Sequence, residues 1–187
     1  MTDASIGKVV VNRVMSLDGF IAGPGHTMDW IFEYMTSATF PEVMAATGAM
    51  LIGRGTYEVG KRMSDENPDY DGGAQFVLTH RPPDEPDPDV TFLTCDIEEA
   101  VAMARRAADG RNLEILGADV AAQCLRRGLV DEILVYVLPV LLGDGVRFAP
   151  PGLDRIDLEP LSNIQSAGVS MLRFHVRRST CAGSARV

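Results

Sequence analysis

The run Glu132-Ile133-Leu134-Val135-Tyr136-Val137-Leu138 is apolar at every position after its first residue. A strand with one face in water would alternate instead, so this one belongs in a sheet covered on both sides. Val9-Val10-Val11 and Ala49-Met50-Leu51-Ile52 have the same character. Between such strands the chain carries helical patterns, and alternation of this kind gives a mostly parallel sheet with helices on both faces. With 187 residues, of which 46% are hydrophobic, the chain is sized for one core.

The expected elements follow from local signals. Residues 6–15 form the first strand, and Ser16-Leu17-Asp18-Gly19 ends it in a turn. Thr27 is expected to cap a short helix over residues 28–35. A helix at 41–46 precedes the strand at 49–52, and a further helix covers 54–63. Residues 64–73 read as a polar loop, followed by strands at 75–78 and 90–93. Asp96 is placed to cap a helix over 97–108, with Ile97, Val101 and Ala104 on its apolar face. The strand 113–116 runs straight into Gly117 and a helix carrying Val120, Ala121, Cys124 and Leu125. Residues 140–152 read as a loop, and strands at 158–165 and 169–177 pair as an antiparallel edge. The domain spans 1–178, with 179–187 as a frayed tail.

Several classes of function are disfavoured. A net charge of −9 argues against a nucleic-acid surface. No apolar run approaches the ~20 residues of a membrane span, and the N-terminus lacks a secretory pattern, so a cytoplasmic protein is expected. Cys95, Cys124 and Cys181, like His26, His80 and His175, are scattered without metal-ligand spacing, and no metal is expected.

The chemistry lies where strands end. Gly53-Arg54-Gly55-Thr56-Tyr57-Glu58 turns a buried strand into a helix, so backbone N–H groups, the helix dipole and Arg54 can converge on a phosphate. Leu116-Gly117-Ala118-Asp119-Val120 is a second junction of that kind, with small residues that let a pyrophosphate approach. An ordinary turn at Gly53 and helix capping by Asp119 are the plain alternatives. Neither is a Walker loop, and no G-x-G-x-x-G occurs. Thr79-His80-Arg81 offers a hydroxyl, an imidazole and a guanidinium suited to an adenosine 2′-phosphate, which would favour NADPH over NADH, but it reads equally as a solvated turn, and Arg54 could do the same work. Asp18 reads either as an Asx turn or as a substrate contact. Trp30, beside Asp29, reads either as a lid over a heterocycle or as core.

Taken in order, Val14-Met15-Ser16-Leu17-Asp18-Gly19-Phe20-Ile21-Ala22, the Gly53 and Gly117 turns, and Gly128-Leu129-Val130-Asp131-Glu132-Ile133 resemble the dihydrofolate reductase superfamily. Within it, the chain is most similar to the reductase part of bifunctional riboflavin-biosynthesis deaminase-reductases, over residues 6–177. The resemblance implies a dihydrofolate reductase-like three-layer α/β fold, NADPH as hydride donor, a small heterocyclic substrate and a homodimer. It places Met15 beside the nicotinamide and Trp30 at the border of the cofactor site. Arg54, Thr56 and His80 would touch phosphate or ribose, and Gly117, Ala118, Asp119 and Val120 would hold the pyrophosphate. Gly53, Thr79 and Arg81 complete the expected cofactor set. By analogy with the pterin enzymes, Asp29 or Glu33 is the catalytic acid, and Asp18 and Asp29 face substrate.

Two departures from the riboflavin enzymes are visible. Their acidic substrate contact, two residues before the second turn's glycine, is Ile115 here, and Glu114 should point to the opposite face. The reading also expects a reductase without the deaminase part. A pterin reductase, a non-catalytic nucleotide-binding module and an interaction protein using Trp30, Phe32 and Tyr34 remain open alternatives.

Overall fold

A computed structural model of the chain describes residues 7–34, 41–63 and 73–177. The β-branched N-terminal run forms β1 (Val9–Ser16), and a turn at Gly19 leads into the short β2 (Phe20–Ala22). Then come α1 (Pro41–Ala46), β3 (Thr47–Gly53), α2 (Arg54–Met63), β4 (Ala74–Leu78) and β5 (Val90–Leu93). The rest is α3 (Ile97–Ala107), β6 (Asn112–Leu116), α4 (Ala118–Arg126), β7 (Glu132–Leu138), β8 (Val146–Arg147), β9 (Leu158–Ser166) and β10 (Val169–Val176). The 179–187 tail of the sequence reading lies outside the described residues.

Among the described residues, the main sheet has eight strands in the order β5-β4-β3-β6-β1-β7-β10-β9. Its first six strands are parallel, and β10 and β9 close it as an antiparallel edge. Alternation along β1 sends Val9 and Val11 to the face covered by α3 and α4, where they pack with Leu51, Ile115, Ala100 and Cys124. Val10 points to the other face, with Leu134, Tyr136 and Ile31. Central strands buried on both faces explain the unbroken apolar runs of the sequence. Asp96 caps α3 as expected, its Oδ1 accepting the Glu99 N–H at 2.8 Å.

The structure corrects the sequence reading in two places. The helix expected after Thr27 is not an α-helix among the described residues: two 3₁₀ turns, Pro24–His26 and Asp29–Ile31, occupy this stretch, and Thr27 is extended. Ile31, Phe32 and Tyr34 each donate to the carbonyl three residues back. Met28, Ile31 and Tyr34 all reach the β1/β7 core. Three of the anchors are spaced by three, matching the three-residue turn of a 3₁₀ helix, and Trp30 packs beside them. Second, the loop at 140–152 holds β8, which pairs with β2 in a separate two-stranded sheet. Two residues are too few to show a period. The approach is so close at Gly145 that an added Cβ would lie 2.1 Å from the Ala22 carbonyl oxygen.

Glu132, the polar start of β7, is buried between Lys8 and Arg173, with Arg173 Nε 2.6 Å from its Oε2. Burial raises a carboxyl pKa, but the two cations outweigh it and hold Glu132 below the usual range.

Candidate functional site

The carboxyl ends of β3, β6 and β1 open into one cleft of about 1060 Å³. Its centre is built by two strand-to-helix turns, Gly53 into α2 and Gly117 into α4, that face each other. A Cβ on Gly117 would lie 2.3 Å from Thr56 Oγ1, and one on Gly53 would lie 3.3 Å from Val120 Cγ2. At Gly117 only a residue without a side chain allows this approach, while at Gly53 a side chain would need Val120 to give by a few tenths of an ångström. Gly117 also holds φ at 89°, which favours glycine. It precedes α4 without a side-chain cap, so that helix presents its first N–H groups and dipole to the cleft.

Arg13 fixes the floor beneath α4. Its Nη1 donates to the Asn12 and Ile115 carbonyls at 2.6 Å each, and its Nη2 donates to the Gly117 carbonyl at 2.7 Å. Burial pulls its pKa down to about 9, with Glu114 opposing that shift, so the guanidinium is charged at neutral pH.

The cleft extends in two directions from the turns. One arm holds Thr79, His80, Cys95, Asp96, Gln123 and Arg127. The other, across β1, holds Val14, Ile21, Met28, Ile31, Val59 and Met63, with the buried Asn12 beneath. Glu114 lies on the Asn12 side of the sheet, where its Oε1 accepts from Asn12 Nδ2 at 3.3 Å and from Thr47 Oγ1 at 2.7 Å. Ile115 points the other way, into the α3/α4 core.

A family model for the RibD C-terminal domain matches residues 7–169. The chain belongs to this family. The Bacillus subtilis (strain 168) protein YwjB is 30% identical to it over 144 residues, which cover 74% of this chain and 80% of YwjB. Among solved structures, a protein from Shewanella sp. PV-4 described as a riboflavin biosynthesis protein aligns with a TM-score of 0.78 at 20% identity, covering 91% of this chain and 99% of that one. The diaminohydroxyphosphoribosylaminopyrimidine deaminase/5-amino-6-(5-phosphoribosylamino)uracil reductase of Thermotoga maritima aligns with a TM-score of 0.68 at 15% identity over 91% of this chain and 57% of its own. At these identities the structural likeness is one of fold. The dihydrofolate reductase-like architecture expected from the sequence is the one shared with these RibD-type reductases.

Within this RibD C-terminal domain, Gly53, Arg54, Thr56, Thr79, His80, Gly117, Ala118, Asp119 and Val120 are brought together on the cleft wall. Arg54 Nε bonds Glu58 at 2.7 Å, and its Nη1 reaches the Arg81 carbonyl at 3.1 Å, while Arg81 itself is off the cleft wall. The Thr79 hydroxyl is engaged in its own turn with Arg81. Met15 and Trp30 stand off the cleft wall, half-buried in the two cores. Asp29 and Glu33 are exposed and off it as well. Asp18 makes no Asx turn: it accepts from Ser16 Oγ at 2.6 Å and from the Leu142 and Gly143 N–H groups at 3.1 and 2.7 Å. These bonds, led by Ser16, lower its pKa to about 2 and make it a clamp between the β1 turn and the loop after β7. The sequence reading missed Asn12, Arg13, Gln123 and Arg127. For the first two the signal was present, as a polar pair interrupting an apolar strand.

Proposed function

We propose that this chain is an NADPH-dependent reductase of a small heterocyclic substrate, of the riboflavin-pathway type. The observation that carries this reading is the pair of glycine turns that set two helix starts face to face over one cleft. Helix N-termini favour anions, and here two converge where a diphosphate can lie between them. Pockets for drug-sized ligands run to roughly 1,000 Å³, so the cleft has room for a dinucleotide and a small ring. Arg54 and His80 stand where ribose or phosphate groups are in reach. When bound, NADPH supplies the hydride, leaving as NADP⁺ while a proton completes the reduction.

The residues of this chain bind and orient. Arg13 keeps the Gly117 turn in shape, and the apolar arm excludes water from the transfer. With Asp29 and Glu33 exposed off the cleft wall, neither is positioned to donate the proton. That placement also favours a second reading, a nucleotide-binding module without turnover, which predicts NADPH binding but no oxidation with any pyrimidine or pterin.

Titration with NADPH and NADH, followed by nicotinamide fluorescence, tests the first reading. NADPH is expected to bind preferentially, and Arg54→Ala to weaken it by roughly tenfold to a hundredfold through loss of a charge-assisted contact. Absence of binding by either dinucleotide would remove the reductase reading.

A homodimer belongs to the same proposal. All of β9 is exposed, including Leu161 at 50% and Ile164 at 52%, and a second copy is the surface that would cover them. Light scattering should return twice the 20.2 kDa chain mass, and Leu161→Asp with Ile164→Asp should return the single mass. A parent running at the single mass would overturn the dimer.

A further inference from the structure

Charge is distributed unevenly over the cleft wall. Arg54 stands at the central turns and His80 and Arg127 on the arm beyond them, and Arg13 is committed to backbone carbonyls. Among the described residues, the arm across β1 is lined by no Lys or Arg, and His26, on an exposed turn, is its one imidazole. Arg62, next to Met63, is exposed and off the wall, while Arg147 lies over the Phe20 ring at 4.7 Å. A phosphate placed in this arm would be desolvated without a counter-charge.

The polar group on offer is of another kind. Asn12 is nine-tenths buried, and one amide N–H is spent on Glu114, itself 1% exposed and held by Thr47. That bond fixes the rotamer and leaves the amide oxygen and the second N–H for the cleft, one acceptor beside one donor. Glu114 adds negative charge behind it, felt by the neighbouring Arg13.

Resting on the reductase reading, we infer that the substrate of this chain is a neutral, unphosphorylated heterocycle that presents an amide-type N–H/C=O edge to Asn12. Asn12 is thus a specificity residue, paired edge to edge with the ring while the apolar side chains pack its faces. This separates the chain from the Thermotoga protein, whose name specifies a phosphoribosyl compound.

The test uses the protein saturated with NADP⁺, so that nothing turns over, and follows the heat of binding by titration calorimetry. The probes are 5-amino-6-ribosylaminouracil, its 5′-phosphate, and lumazine as a sugar-free ring with the same edge. The unphosphorylated compound is expected to bind at least about tenfold more tightly than its phosphate, with the gap narrowing as salt rises. Val59→Lys, on a helix surface that tolerates the change, should close or reverse the gap. Asn12→Leu should weaken all three probes by about tenfold and leave NADPH affinity in place; Asn12→Ser, a smaller change, should do so in part. Equal or tighter binding of the phosphate by the parent overturns the inference, as does NADPH binding with no response to either neutral probe. Failure to bind NADPH at all removes the reductase reading and this inference with it.

Discussion

In the Arg13→Leu variant, thermal unfolding is expected about 6–12 °C below that of the parent. Three carbonyls, those of Asn12, Ile115 and Gly117, lose a donor at once. Their site is dry, since Arg13 is only 7% exposed. Leaving a buried acceptor short costs roughly 1–3 kcal/mol, so a total near 3 kcal/mol is a conservative sum. For a domain of this size each kcal/mol moves the midpoint by about 2–4 °C. Arg13→Lys keeps the charge but not the planar fork, and should recover only part of the loss. The same variants should lose NADPH affinity, because the carbonyl that Nη2 holds belongs to the turn at the start of α4. A midpoint within about 2 °C of the parent would show that other groups shape this turn.

The second large effect is expected for Gly117→Ala. Its Cβ would enter the space of Thr56 Oγ1, 2.3 Å away, on a residue whose φ of 89° alanine adopts only with strain. Strain of this kind costs about 1–3 kcal/mol, and NADPH affinity should fall by more than tenfold because the two turns are pushed apart. Adding Thr56→Ala separates the causes: it removes the clash but not the torsional strain, so the double variant should regain part of the stability. If Gly117→Ala binds NADPH like the parent, the facing turns are not where the diphosphate lies.

Much of this architecture was legible in the sequence because its signals are local and physical. Apolar runs such as Ile133–Leu138 announced strands covered on both faces, and Asp96 announced the start of α3. Gly53 and Gly117 marked close turns, the second one that only glycine can make, and both fell on the cleft wall. What failed was whatever depended on partners distant in the chain. The 28–34 stretch looks helical, yet three of its anchors meet the sheet every third residue, a spacing set by the surface beneath it. Asp18 looked like a turn former, but beside Ser16 its partners are at 142 and 143. Asn12 and Arg13 stood out as polar residues in an apolar strand, yet only the neighbouring strand, carrying Glu114 and Ile115, tells which face each serves.

The last strand carries a consequence for how this protein behaves when concentrated. Among the described residues, the outer side of β9 is an unpaired ladder edge, the feature by which sheets recruit further strands into fibrils. Pro160 offers no N–H there, and the register slips beside it, between the pairs Arg173–Ser162 and Phe174–Pro160. An incoming strand can therefore extend the ladder without interruption only along residues 162–166. The irregularity works as a guard against endless edge-to-edge growth, and it leaves the faces of the hairpin as the surfaces through which copies can meet in a closed pair.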